Sequence, residues 1–593
     1  MNSPGHNLAL LRDALKKNNI TAYIIPVAEP HFGEDIPDHW KIVKWLTGFD
    51  GSAGVVVVTD SFAGLWTDSR YYLQAASQLA GSGFRLMKPG PGMPNDHISW
   101  LEENLVSGSR TGLDGRLFSI SAVRKLEAKL LPKKISIKYN CVLIDEVRKD
   151  PPPLPESTAF DHPVKYSGKE RGLKIKEVRD EMRRMKIDYH LLSSCDDIMW
   201  MLNIRGKDYP FSPLFMSYSL IDEKQVNLFA DIKKIPQVLA SELEQYDVVI
   251  RSYDNCRDYL SSLAEGTVIL LDPARTTASL FFSIEGKLKI AEGISIPTRL
   301  KAVKNKTEIA NIGKVMVKDG IVLTRLFYWV EANLGVLSLN ERSVKDKLLK
   351  LKTLQEEFLG PSFETIAAFN ENASLPHYRE TSESNAPINS DGILLIDSGG
   401  HYMGGTTDIT RTVSIGVPTM QQKADFTLVL KGHISLAMAK FPAGTKGYQL
   451  DILARKALWE NGLNYGHGTG HGVGYCLNVH EGPQNISPAA NQTEITPGML
   501  ISNEPAIYRE GEYGIRTENL MICYEDEETE FETFLRFDTV SLCYIDKSLI
   551  ERSLLNPREI EWLNSYHTEV YEKISPNLTE AEKLWLKRKT EPL

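Results

Sequence analysis

The stretch DGILLIDSGGHYMGGTTDITRTVSIG, residues 391–416, delivers two aspartates from two apolar runs. A continuous apolar run, Ile393 to Ile396, ends in Asp397 just before a Gly-Gly break at Gly399 and Gly400. Asp408 follows eleven residues later, in a Thr-rich segment whose alternation reads as a second strand antiparallel to the first. A hairpin of this kind brings both carboxylates together. A carboxylate set in an apolar strand costs free energy unless it is paired or binds a cation, so the hairpin asks for partners from elsewhere in the chain.

Two more acids end or interrupt apolar runs. GMLISNEPAIY reaches Glu504, and GIRTENLMIC places Glu518 in a strand-like stretch where period-two geometry puts Arg516 on the same face. Each acid alone is explained by a strand-end cap or a salt bridge. Four of them exceed what Arg516 can satisfy.

The stretch HGTGHGVGYCLNVHEGP, His467 to Pro483, adds histidines. His467 and His471 have the i, i+4 spacing of a zinc-protease helix, but Gly466, Gly468, Gly470, Gly472 and Gly474 occupy every second position. That run carries a helix cost of roughly 1 kcal/mol per glycine, and no Glu follows His467, so these histidines are expected on extended or looped backbone. Four carboxylates and an imidazole suit two divalent cations, and an oxygen-rich set favours harder ions such as manganese over a thiolate-type zinc site. Two metals about 3.5 to 4 Å apart activate a shared water against a carbonyl. Hydrolysis is the reaction class this implies.

At 593 residues the chain has room for three or so domains. With 42% hydrophobic and 24% charged residues it has an ordinary globular composition. Its net charge of −9 gives no reason to expect nucleic acid or an acidic membrane surface as partner. The N-terminal MNSPGHNLALLRDALKKNN lacks the basic start and apolar stretch of a secretory signal, and nowhere do about 18 apolar residues run together, so a cytoplasmic protein is expected. Cys141, Cys195, Cys256, Cys476, Cys523 and Cys543 form no C-x-x-C pair and read as buried free thiols.

DPPPLPEST, residues 150–158, reads as a semi-rigid linker closing a first domain. After it the chain resembles its own beginning. LRDALKKNNITAYII from Leu11 is answered by VRDEMRRMKIDYHLL from Val178, WLTGFDG from Trp45 by WMLNIRG from Trp200, and LWTDSR from Leu65 by LFADIK from Leu228. Three matches in register point to a duplication. The expected fold is α/β (α+β): two related α/β domains over 1–155 and 160–298, then a third over 299–593. This last domain opens with a helix capped by Asn305 and Glu308 and ends in a helical extension, where Asn556 and Pro557 start a helix with Ile560, Leu563, Tyr566 and Val570 on one face. Packed core is the first reading of that face and a subunit interface the second.

The order Asp397, Asp408, His471, Glu504, Glu518, in the contexts D-x10-D, HGTGHGVG, NEP and GIRTEN, resembles the five-ligand signature of the pita-bread metallopeptidases. Within them the chain is similar along nearly its whole length to the long, three-domain aminopeptidase P branch, including GFDGSAG and WTDSRYYLQAA in the first domain and LKGHI, FPAGTKG and LNVHEGP in the last. The resemblance implies two creatinase-like N-terminal domains before a pita-bread catalytic domain. It implies two divalent ions, manganese first, with zinc and cobalt as alternatives. Asp397 and Asp408 then hold one metal, His471 and Glu504 the other, with Asp408 and Glu518 bridging; the general base is Glu504 or the bridging hydroxide.

It further implies that His377 in SLPHY and His480 in NVHEGP bind substrate and support the tetrahedral intermediate. His467 lines a proline pocket, and Arg516 and Arg70 join the substrate-binding residues. Peptides with proline at position 2 are the implied substrates and a homodimer through the catalytic domain the implied assembly. A prolidase, which cleaves dipeptides only, and a metal-free binding module are the alternatives. The two α/β domains disfavour the first and the intact five ligands the second.

Overall fold

A computed structural model describes residues 3–88, 96–381, 384–389 and 391–593; Met1 and Asn2 of the N-terminal stretch quoted above lie outside them. The chain divides into two compact units. The first comprises Met1–Asp161, Arg171–Pro210 and Leu214–Pro297, the second His162–Glu170, Phe211–Pro213 and Thr298–Leu593.

The first unit holds two six-stranded sheets. Across one, the strands run 85–87, 63–66, 55–59, 22–26, 110–113 and 136–138; across the other, 248–252, 226–230, 217–221, 189–192, 268–271 and 289–292. Their pairing senses agree position by position: a parallel outer pair, two antiparallel pairs, then two parallel pairs. The repeated motifs occupy matching places. Helix Pro4–Lys17 runs into strand Ala22–Pro26, and helix Arg171–Met185 into strand Tyr189–Leu192. Asp68 and Asp231 each cap a short 3-10 turn, accepting from Arg70 N at 3.0 Å and from Lys233 N at 3.1 Å. His31 joins the two halves of this unit, its Nδ1 2.8 Å from Ser193 O and its Nε2 2.8 Å from the Tyr253 hydroxyl. Residues 148–159, spanning the whole proline-rich linker, carry no helix or strand.

The second unit is built on an antiparallel hairpin, Gly392–Tyr402 and Gly405–Ile415, paired without interruption from Gly392 opposite Ile415 to Tyr402 opposite Gly405. The two glycines read as a break lie inside the strand. A Cβ at Gly399 would stand 2.1 Å from both Thr407 O and Ser362 Oγ, so glycine here admits its neighbours and does not end the pairing.

Helix Lys306–Asn333 packs on the hairpin. Its start is closed reciprocally, Asn305 Oδ1 accepting from Glu308 N at 3.0 Å and Glu308 Oε2 from Asn305 N at 2.9 Å, and Ile312, Val315 and Met316 are buried. A second sheet runs Lys440–Pro442, Thr533–Thr539, Asn519–Glu528, Leu500–Asn503. The stretch around Glu518 is divided and not continuous: Tyr513–Arg516 pairs with Ala506–Arg509, whereas Asn519–Glu528 pairs with Leu500–Asn503, so Glu518 sits at the crossover.

In helix Pro557–Ile574, Leu563, Tyr566 and Val570 are buried in the core of the second unit, with Ile560 partly buried against it. That stripe is core packing, where truncating one large side chain costs about 2–5 kcal/mol. All six cysteines are free and buried. Among the described residues no helix is long and apolar enough to cross a membrane.

Candidate metal centre

The hairpin register places the first two acids. Asp408 lies opposite Gly399, and residues 397 and 399 share one face of their strand, so Asp397 and Asp408 project to the same side. The remaining residues are locked to this hairpin and to one another through the backbone. The Glu518 amide donates to Thr410 O at 3.1 Å, and Thr410 Oγ1 donates to Glu518 Oε2 at 2.8 Å. The Glu504 amide donates to Thr469 O at 2.8 Å, and the His471 amide to Ser502 Oγ at 3.0 Å. Gly470 permits that last approach, since a Cβ there would stand 2.0 Å from Ser502 O. His471 itself is in a two-residue strand, Gly470–His471, paired with Asn485–Ile486. The alternating glycines serve close backbone packing, and no helix forms.

All five residues expected to hold metal converge. Ligand atoms of Asp397, Asp408 and Glu518 lie within 4.8 Å of one another, as do those of His471, Glu504 and Glu518, and those of Asp408, His471 and His480. Asp408, His471 and Glu518 each belong to two of these groups. His471 Nδ1 is 3.0 Å from Gly472 O, a group that can only accept, so Nδ1 carries a proton. Nε2 then faces Asp408 Oδ2 at 3.4 Å and Glu504 Oε1 at 3.6 Å. An imidazole oriented by a carbonyl at one nitrogen, with the other turned to carboxylates, is the arrangement of a metal ligand.

The electrostatics make the same demand. Burial pushes the Asp408 carboxyl up to about 7, with Asp397 adding to the shift, and pushes Glu504 up to about 8, with Glu518 adding to it. Burial likewise raises Glu518 well above the carboxylate range, with Asp408 and Asp397 reinforcing it. The buried Arg516 guanidinium pairs with Asp397 Oδ2, yet Asp397 Oδ1 is buried without a hydrogen-bond partner. A cluster of desolvated carboxylates facing one guanidinium, with an orphaned oxygen and an imidazole among them, fits divalent cations bound mainly by oxygen.

The other expected site residues fall in different places. His480 is exposed, its ring centroid 4.3 Å from that of His471 and nearly perpendicular to it. His467 stands apart from the ligand groups: its Nε2 is 3.0 Å from the Tyr508 hydroxyl, which accepts from Arg516 Nη1 at 2.6 Å. A polar chain thus runs from His467 through Tyr508 and Arg516 to Asp397. His377 is half-buried in a turn, and the next residue, Tyr378, has its hydroxyl 2.6 Å from the buried carboxylate of Glu341. Arg70 belongs to the first unit, where its Nε and Nη2 hold both oxygens of Asp68 at 2.8 and 2.7 Å.

Tyr508, Ser502 and Thr410 were not among the sequence candidates. The signal for the last two is a polar residue two places from an acid along an extended chain, Ser502 before Glu504 and Thr410 after Asp408, where period two returns a side chain to the same face. Tyr508 is four places beyond Glu504 and carries no such mark.

The fold and the cluster define the class: a carboxylate-rich cluster with the donors for divalent cations, on a hairpin scaffold, preceded by a duplicated α/β region. Comparison with known proteins agrees. The family model for metallopeptidase family M24 matches residues 310–525, and that for its C-terminal region matches 533–593. Models of the creatinase/prolidase N-terminal domain match 8–149 and 150–308. A probable Xaa-Pro aminopeptidase P of Laccaria bicolor is 37% identical over 99% of this chain and 93% of its own length. Xaa-Pro aminopeptidase 1 of Dictyostelium discoideum is 37% identical over 98% and 96%. The crystal structure of X-prolyl aminopeptidase from Caenorhabditis elegans, described as a cytosolic enzyme with a di-nuclear active site, superposes with a TM-score of 0.94 at 33% identity, covering 100% of both chains. This chain belongs to the Xaa-Pro aminopeptidase P family of the M24 metallopeptidases.

Proposed function

We infer that this chain is a metal-dependent aminopeptidase that releases the N-terminal residue from peptides carrying proline at the second position. The observation that carries the reading is the convergence of Asp397, Asp408, His471, Glu504 and Glu518 in one largely buried cluster, where desolvation and mutual repulsion raise Asp408, Glu504 and Glu518 and call for added positive charge.

These five residues hold two divalent ions, manganese by preference, which supply an activated water and charge stabilisation at the carbonyl. The chain's own side chains do the rest. Glu504 is the general base of this reading, taking up and returning a proton beside the metals. His480, exposed beside His471, and His377 donate hydrogen bonds to the scissile carbonyl, so that charge developing on its oxygen meets an N–H. Arg516 pairs with Asp397 and, with Tyr508, connects the centre to His467. An X-Pro bond is a tertiary amide without an N–H, and its ring blocks the register that ordinary peptidases use. A pocket lined by His467 and shaped to the ring converts that obstacle into selectivity. Arg70 contributes a substrate contact from the first α/β domain, the enzyme works as a homodimer through its catalytic unit, and it acts in the cytoplasm.

The test is a comparison of Arg-Pro-Pro with Gly-Pro on the manganese-loaded protein. Release of arginine with slow dipeptide cleavage supports the reading. The opposite ratio identifies a prolidase, and cleavage of neither leaves a binding module.

A further inference from the structure

The loop that follows the HGVG run closes on a buried charge cluster to which the chemistry above gives no role. Glu481, directly after His480, is 3% exposed. Its Oε1 lies 2.9 Å from Lys304 Nζ and its Oε2 3.2 Å from Lys301 Nζ, and both lysines are also 3% exposed. Taking three charged groups out of water carries a desolvation penalty that mutual attraction repays only in well-fixed geometry. An apolar trio would fill such a space without that penalty, so the cluster calls for an explanation beyond packing.

The surrounding backbone is fixed from several directions. The Glu481 amide donates to Gly472 O at 2.8 Å, the Gly472 amide to Gln484 O at 3.2 Å, and the Gly474 amide to Asn478 O at 2.9 Å. The segment from Gly472 to Gln484 is therefore a closed loop with the Glu481 carboxylate inside it. Gly474 leaves the room: a Cβ there would stand 2.8 Å from Glu481 Oε2. The lysines are anchored beside the strand that leads to Glu504, since the Lys304 amide donates to Gly498 O at 2.9 Å and Val303 bridges Met499. Burial reverses between neighbours in this loop. Glu481 turns inward to the lysines, while His480 turns outward, against the His471 ring.

We propose that Glu481, clamped by Lys301 and Lys304, is the positioning residue that fixes His480 for its hydrogen bond to the scissile carbonyl. The inference rests on the role given to His480 above. The carboxylate touches neither substrate nor metal ligand; it sets the backbone from which the imidazole reaches out.

A double-mutant cycle tests it. The manganese-loaded wild-type, E481Q, H480A and E481Q/H480A proteins are compared on an X-Pro-Pro peptide, with metal content measured for each and amide exchange followed in the 472–484 segment. Displacing an otherwise intact group by about 1 Å costs up to about 100-fold. E481Q is accordingly expected to lower kcat about tenfold or more with KM changed less than about twofold, keep its metal, and exchange faster in this segment. In the H480A background the same substitution should cost less than about twofold. Should E481Q alone fail to fold, E481Q/K304M, which keeps the net charge of the trio, carries the same expectation. An equal loss from E481Q with and without His480, or an unchanged kcat, overturns the proposal while leaving the peptidase reading intact. A wild-type kcat in H480A overturns the role of His480 and this proposal with it. Absence of turnover in the wild type overturns the peptidase reading itself.

Discussion

Asp408 is 4% exposed, lies within reach of Asp397 and Glu518 on one side and of His471 and His480 on the other, and so stands at the point where the ligand groups meet. Asp408→Ala is expected to abolish turnover, by on the order of a thousandfold or more, beyond the loss of a single transition-state hydrogen-bond donor. The thermal midpoint of the chelated protein should not fall, because the substitution removes a desolvated carboxylate from a like-charged cluster; substantial turnover at saturating manganese would remove Asp408 from the centre. The raised carboxyls also set a pH dependence. Asp408 at about 7 and Glu504 at about 8 bind protons in the folded, metal-free protein that the unfolded chain has already released above the ordinary carboxylate range. Stability therefore falls as pH rises from about 4 to about 8 in the chelated protein, and metal binding releases protons across the same window. The gap in thermal midpoint between loaded and chelated protein is expected to widen from pH 5 to pH 8. A gap independent of pH would mean that these carboxyls are not the ones the metal displaces protons from.

At the scale of elements, position depends on backbone contacts that admit no extra atom. Gly470→Ala would place a methyl 2.0 Å from Ser502 O, forcing the His471 strand away from the strand that ends at Glu504. The expected result is a loss of metal affinity of about tenfold or more, in the range seen when a ligand's supporting contacts are removed, measured by titration of the apo protein; unchanged affinity would show that the strands can separate without cost. The hairpin was legible because period two sends Asp397 and Asp408 to one face, and the glycine alternation correctly excluded a helix at His471. The Gly399–Gly400 break was misread, because a glycine that admits a neighbouring carbonyl looks the same in sequence as one that ends a strand. Arg411 was not legible at all. It is buried, with Nε donating to Tyr544 O, Nη1 to Glu518 O at 2.7 Å, and Nη2 close to Cys543 O and the Tyr566 hydroxyl, so it binds the C-terminal helix to the backbone of Glu518. Apart from the neighbouring Thr410 O, its acceptors lie more than 100 residues away in sequence and leave no local pattern.

For the whole molecule, the duplication explains the length: two sheets of the same order and sense precede a unit that contains every expected metal ligand. Matched motifs in register exposed that plan, because each repeat keeps its helix-to-strand transitions and its capping aspartates, Asp68 and Asp231. The place of Arg70 could not be read from its motif, since its guanidinium is engaged by Asp68 within its own unit. Arg70→Ala is expected to raise KM several-fold for tripeptides and longer substrates and less for minimal ones, with kcat nearly unchanged; equal KM values across peptide lengths would leave the first unit without a part in substrate binding. The central claim, metal-dependent cleavage before proline, is tested most directly by stripping the protein of metal and assaying release of arginine from Arg-Pro-Pro before and after manganese is restored, with Arg-Ala-Pro alongside. The account predicts no release by the stripped protein, full release on adding about two equivalents of manganese, and little cleavage of the alanine peptide. Equal release by the stripped protein, or none after reconstitution, would contradict it.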